Sequence, residues 1–226
     1  MSGCASHVVV LPPGKQLGSF YHPAPMSRQQ SGSLTCMTPA EEFREIGGRF
    51  GEIVDAVRRD QWDDPTPVAG WKARDIVGHL IEWFPALVHD LEVTLPPGPS
   101  AGTDPAEAWR AFAAGVISLL EHPAAAALVP TNPNFGGVPL DQAVSRFFTA
   151  DVFHHTWDLA TATGQVPALD PKRCESVLAG MEPIDQLLRD SGQYGPRVEV
   201  SEDADAETRL VAFLGRDPFW SPPPRT

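Results

Sequence analysis

Residues Ser145–Gly164 read SRFFTADVFHHTWDLATATG, and this stretch carries a charged pair where apolar residues belong. On a helix, Asp151 and His155 stand one turn apart and share a face with Val144, Phe148 and Ala162. A face with those apolar members points into a core. A carboxylate and an imidazole buried together need a partner there, because an unpaired buried charge is very costly. A metal ion is one such partner, and a third ligand candidate, His79, lies on another apolar helical stripe.

The surrounding chain reads as helix after helix. Thr38-Pro39-Ala40-Glu41 places a capping Thr, a Pro at the first helical position and a Glu three residues after the cap, which together make a capping box. The helix it starts runs to about Asp60, with Phe43, Ile46, Phe50, Ile53, Val54 and Val57 at helical spacing. After a Pro-punctuated loop (Trp62–Trp71), a second helix starts near Lys72. Its apolar stripe is Ile76, His79, Leu80, Trp83 and Leu87, and Pro85 is expected to kink it. Asp104-Pro105 opens a third helix that reaches about His122. Residues 124–139 read as turns with a short strand or hairpin. The fourth helix follows Pro139 and stops at Gly164. A fifth begins at Asp170-Pro171 and extends through Leu188, and Ser201 is expected to cap a last short helix that ends at Gly215. With strand signals almost absent, the expected fold class is all-α: an antiparallel four-helix bundle with additional C-terminal helices.

The bundle is expected to occupy residues 37–218. Residues 1–36, rich in Pro, Gly, Ser and Gln, read as a disordered N-terminal extension, with the functional protein beginning at or near Met37. Residues 219–226 form a Pro-rich tail.

Composition narrows the function. The chain has 226 residues, enough for one ordinary domain, and a formal net charge of −12. It lacks the basic footprint that phosphate backbones and anionic membrane surfaces require, so no nucleic acid and no membrane is expected as a partner. No apolar run approaches the roughly 20 residues needed to span a bilayer. Val8–Leu11 is too short for a signal-peptide core and no basic region precedes it. Cys4, Cys36 and Cys174 are odd in number with no C-x-x-C spacing. That argues against a disulfide framework or a thiolate zinc knuckle and fits a reducing cytoplasm. Cys174 reads as a partly buried structural thiol.

His79, Asp151 and His155 would form a set of two imidazoles and one carboxylate. Three protein ligands leave a position for water or substrate, the pattern of a catalytic site. The same ligand types suit zinc, iron, nickel or manganese. Each residue also has a plainer reading: a hydrogen-bonded core histidine for His79 or His155, and an Arg146 or Arg74 partner for Asp151. Asp158, three residues after His155, reads either as the group that orients a ligand imidazole or as a cap or an arginine's partner. His154, turned about 100° from His155 on a helix, reads as a surface or pocket-rim residue. Trp83 and Trp157 read as packing, and His89 and His122 as helix-end residues. There is no G-x-S-x-G elbow, no phosphate-binding Gly-rich loop after a strand and no H-E-x-x-H.

Trp71–Trp83 (WKARDIVGHLIEW) and Asp151–Gly164 (DVFHHTWDLATATG) resemble the DinB-like, mycothiol-dependent maleylpyruvate isomerase family of actinobacteria, in its uncharacterised metal-binding branch. The resemblance extends from about Met37 to Pro218 and includes Ser201–Pro218 (SEDADAETRLVAFLGRDP). It implies a four-helix bundle whose interior holds a divalent metal, zinc first, through His79, Asp151 and His155. The characterised isomerase type has Glu where this chain has Asp151. It also carries a C-terminal α/β domain that helps hold the thiol, where this chain has a short C-terminal remnant. Two functions follow as expectations. One is a metal- and thiol-dependent transferase or isomerase acting on a small electrophile, with mycothiol as the thiol. The other is a non-catalytic metal- or small-ligand-binding module. The partners expected are a small-molecule substrate or thiol, with a homodimer left open.

Overall fold

The computed structural model describes residues 37–132 and 135–224. The extension expected at 1–36 and the end of the tail, 225–226, lie outside the described residues. The chain forms α1 (Pro39–Ala56), α2 (Ala73–Val88), α3 (Pro105–Glu121), a short α4 (Pro123–Ala126), α5 (Leu140–Ala143), α6 (Ala150–Ala162), α7 (Pro171–Met181), α8 (Asp185–Ser191) and α9 (Ala206–Phe213). A π-helical stretch, Val144–Thr149, joins α5 to α6 without a break. The described residues are all-α, as expected. Among the described residues there is no strand, only an isolated antiparallel bridge between Pro65 and Lys72.

Local chemistry sets most boundaries. The Thr38–Glu41 capping box starts α1. Asp104 and Asp170 cap α3 and α7, each with Pro in the first turn. Other expected ends move. α1 stops at Ala56, and a 3-10 turn, Arg59–Gln61, takes up the rest of its expected span. α2 keeps Pro85 inside it, as expected, and ends at Val88, one residue past the expected stripe. The fifth helix is divided into α7 and α8 around a 3-10 turn that contains Pro183. Asp205, and not Ser201, caps α9 by accepting from Thr208 N. The region after α3 holds the helical turn α4 in place of a strand or hairpin.

The bundle closes in the order α1–α3–α2–α6. The charge pairs Arg44–Glu121 and Arg110–Asp55 join opposite ends of α1 and α3, so these two run antiparallel. On α2 and α6, Trp83 meets Phe148 at one end and Trp71 meets His155 at the other, again antiparallel. Ser145 bonds Glu42 and Gln165 bonds the Ile53 carbonyl at 3.0 Å, so α1 and the α5–α6 rod run parallel. Arg74 to the Gly102 carbonyl and Phe84 to Phe112 make α2 and α3 parallel as well. The expected all-antiparallel arrangement is therefore corrected. The connection 57–72 crosses an end of the bundle, and 89–104 runs back along α3, with Pro96 beside Gly115 and Gly98 beside Ala111, which short hairpin loops could not do.

Phe148, fully buried, is the hub of the core. Its ring meets Phe43 of α1, Trp83 and Phe84 of α2 and Phe112 of α3, with centroids 4.8 to 5.8 Å apart. α7 and α9 pack against each other, and side chains of this C-terminal segment reach α6. Arg173 of α7 lies over the Phe153 ring at 5.8 Å, and Arg216, just beyond α9, reaches Asp158. α6 is thus a central helix, with every residue from Val152 to Leu159 buried whichever way it points.

Phe148→Ala removes a ring that meets rings of three helices. It is expected to lower stability by about 3–5 kcal/mol in chemical denaturation; a loss under 1 kcal/mol would show that the ring is not the hub.

Candidate metal centre

α6 presents Asp151, His154, His155 and Asp158 at i, i+3, i+4 and i+7, a contiguous stripe on one side of the helix. The π turn immediately before it inserts a residue into the helical repeat, which sets the angle at which Asp151 meets α2. His79 Nε2 of α2 stands 3.1 Å from Asp151 Oδ2. Trp83, one turn further along α2, donates its indole N–H to the same oxygen at 2.9 Å. His155 Nε2 is 3.6 Å from Asp151 Oδ1. One donor atom from each of His79, Asp151 and His155 lies within 4.8 Å of the other two. Donors bonded tetrahedrally at about 2.1 Å to one ion stand about 3.4 Å apart, so this trio has the chemistry and the spacing to hold a divalent cation.

The other side of His155 is equally defined. Its Nδ1 lies 2.9 Å from Asp158 Oδ2. A carboxylate only accepts, so Nδ1 is the donor, and Nε2 is the ring nitrogen turned toward the trio. Arg216 grips the same carboxylate, Nε to Oδ1 at 3.3 Å and Nη2 to Oδ2 at 3.2 Å. The Trp71 ring stacks on His155 at 5.7 Å and lies 4.9 Å from His79, shielding the trio on that side.

A family model described as the mycothiol maleylpyruvate isomerase N-terminal domain matches residues 43–160. The chain belongs to this family. Two uncharacterized proteins of Mycobacterium tuberculosis, from two strains, are each 28% identical to it over 189 residues, covering 80% of this chain and 98% of their own length. No solved structure matches the chain. The matched region of this family member holds His79, Asp151, His155 and Asp158, whereas Arg216 lies beyond it.

Electrostatics follow from packing. Asp158 is 1% exposed, and burial alone would raise its pKa; the Arg216 charge and the His155 hydrogen bond outweigh burial and hold it below the usual carboxylate range. Asp151 keeps 23% of its side chain exposed. The protein packed round it still desolvates the carboxyl upward, and His155 and His79 more than reverse this, so it stays ionised. Burial pushes His154 down to about 4, which keeps it neutral near pH 7. Burial pushes the Cys174 thiol up to about 12, so it is no nucleophile. No described helix is long and apolar enough to cross a membrane.

Several side chains depart from their expected places. His154 is 6% exposed, not a surface or rim residue, and its Nε2 has no hydrogen-bond partner. It is three residues from Asp151 and four from Asp158, a spacing that signals a shared face, and the C-terminal segment covers that face. Trp83 is a hydrogen-bond donor to Asp151 as well as a packing residue. Asp158 both orients His155 and pairs with an arginine, roles that the sequence reading set as alternatives. Arg74 and Arg146, the alternative partners for Asp151, bond Asp63 and Gln142 instead. Nothing in the sequence pointed to Arg216.

The depressed His154 value fixes the sign of a pH effect. The unfolded chain takes up a proton near pH 6.5 that the folded chain takes up only near 4, so stability is intact above about 6.5 and falls through that window, by on the order of 3 kcal/mol. Asp151 and Asp158 lose their contributions below about 3.9, outside the window. His154→Gln is expected to flatten the decline in Tm between pH 7 and 4.5; an unchanged slope contradicts the assignment.

Proposed function

We infer that this chain is a divalent-metal-binding protein that uses a mycothiol-type thiol to transfer sulfur to, or isomerise, a small electrophile. His79, Asp151 and His155 would hold the ion, with zinc as the first candidate, and Asp158 would orient His155. The observation that carries the reading is the convergence of two imidazole nitrogens and one carboxylate oxygen within 4.8 Å. Family membership supports the thiol part of the reading.

A bound divalent ion supplies positive charge that lowers the pKa of a thiol or water at an open position. The protein's own residues set up that chemistry. The two imidazoles contribute no charge and Asp151 contributes one negative charge, so the site stays net positive once loaded and favours an anionic sulfur. Trp83 fixes Asp151 Oδ2, and Asp158 fixes the His155 tautomer. Trp71 stacks on the His155 ring and lies beside the His79 ring. In transfer, the thiol gives up its proton and its sulfur forms a bond to an electrophilic carbon, either displacing a leaving group that departs with its bonding electrons and takes the proton, or adding to a carbon–carbon double bond whose π pair moves to the neighbouring carbon. In isomerisation, that carbon–sulfur bond breaks again after rotation, so the double bond returns with new geometry and the thiol is recovered. Neither route needs an oxidant or a reductant. A reducing cytoplasm, where such thiols are abundant, suits the reading.

Metal content and thiol consumption test it together. Purified wild type is expected to carry a near-stoichiometric divalent metal, with His155→Ala nearly metal-free. Metal-dependent loss of thiol is expected with at least one member of a panel of small electrophiles. Equal, negligible metal in the two proteins contradicts the site. Full metal without thiol turnover across the panel favours a non-catalytic metal-binding module.

A further inference from the structure

The family-matched region ends at residue 160, but the hydrogen bonds around its histidine do not. Asp158 receives two donors from Arg216, which stands 58 residues later in the chain. Such a pair is expensive to bury, and a well-packed apolar pair often stabilises a fold as well or better. Stability alone therefore does not account for a guanidinium aimed at a carboxylate whose other neighbour is His155 Nδ1.

The backbone that delivers Arg216 is tightly fixed. Gly215 turns the chain after α9 with φ +81°, and a Cβ there would sit 2.9 Å from the Gly195 backbone, so two strands of main chain touch at this point. Arg189 of α8 ties them together by donating to the Gly195 carbonyl and, at 2.6 Å, to the Phe213 carbonyl. Arg197 lies over the Phe213 ring at 4.3 Å. The Arg216 amide bonds the Val211 carbonyl, and its Nη1 bonds the Leu214 carbonyl, each at 3.1 Å. The guanidinium thus reaches Asp158 from a rigid base, with its planar fork across both carboxylate oxygens.

We propose that Arg216 is a positioning residue for metal binding: by fixing the Asp158 carboxylate it fixes the His155 ring, so the segment beyond the family-matched region completes the site. The inference rests on the metal-site reading above. Without Arg216, a buried carboxylate would lose its cation and its orientation, and the imidazole that leans on it would be free to turn. Groups that orient a metal-bound histidine in this way typically change metal affinity by about 10–100-fold when removed.

The test measures zinc affinity of the full chain by competition with a chromophoric chelator, in wild type, Arg216→Gln, Arg216→Lys and Leu178→Ala. Leu178 is buried on α7 and is not among the side chains hydrogen-bonded around the trio, so its truncation reports loosening of the C-terminal helices. Arg216→Gln is expected to bind zinc about 10–100-fold more weakly. Arg216→Lys, with the charge but not the fork, should fall between, and Leu178→Ala should bind like wild type despite a lower Tm. Wild-type affinity in Arg216→Gln overturns the inference, as does an equal weakening in Leu178→Ala. If wild type binds no zinc, the metal reading itself fails. The positioning role is then decided on the metal-free protein by the ring ¹⁵N shifts of His155. An Nδ1–H tautomer in wild type that gives way to a mixture in Arg216→Gln supports it, and identical tautomers in the two proteins overturn it.

Discussion

One buried carboxylate answers to two demands. Asp158 is almost sealed from solvent, and it is ionised only because Arg216 faces it on one side and the His155 N–H on the other. Each of the three groups needs the others: the carboxylate needs a cation, the imidazole needs an acceptor to choose its tautomer, and the guanidinium needs an anion in a place with little water. The direction in which His155 Nε2 faces, and with it the convergence on Asp151 and His79, depends on this contact.

The fold explains how such a network can exist inside a helix bundle. A crossing connection lets α2 run antiparallel to α6, which brings the middle of α2 against the start of α6, where His79 and Trp83 meet Asp151. The apolar hub at Phe148, three residues earlier, holds the four helices at that depth. Side chains of α7 and of the segment just beyond α9 then reach the outside of α6. The family-matched region provides the three converging donors, and the segment after it provides the counter-charge that steadies one of them.

Much of this was legible in the residues. Apolar spacing marked the four long helices, and Pro after a capping residue marked where α1, α3 and α7 begin. The Asp151–His155 pair stood out because a charged pair on an apolar face has to be answered by something. Ser201 drew the cap of α9 four residues too early because Asp205 is an equally good capping residue, and only the fold chooses between them. His154 went astray because its angle was measured from His155 alone, although its spacing from Asp151 and Asp158 places it on their face. The parallel pairing of neighbours and the role of Arg216 were not legible, since both arise from contacts between segments far apart in sequence. Helical periodicity reports which face is buried and not what buries it.

X-ray absorption at the metal edge of the zinc-loaded protein, recorded before any thiol is added, tests the central claim most directly. The account predicts two imidazole nitrogens and a carboxylate oxygen in the inner coordination shell, with no sulfur. A shell containing protein sulfur, or only one imidazole, would contradict it.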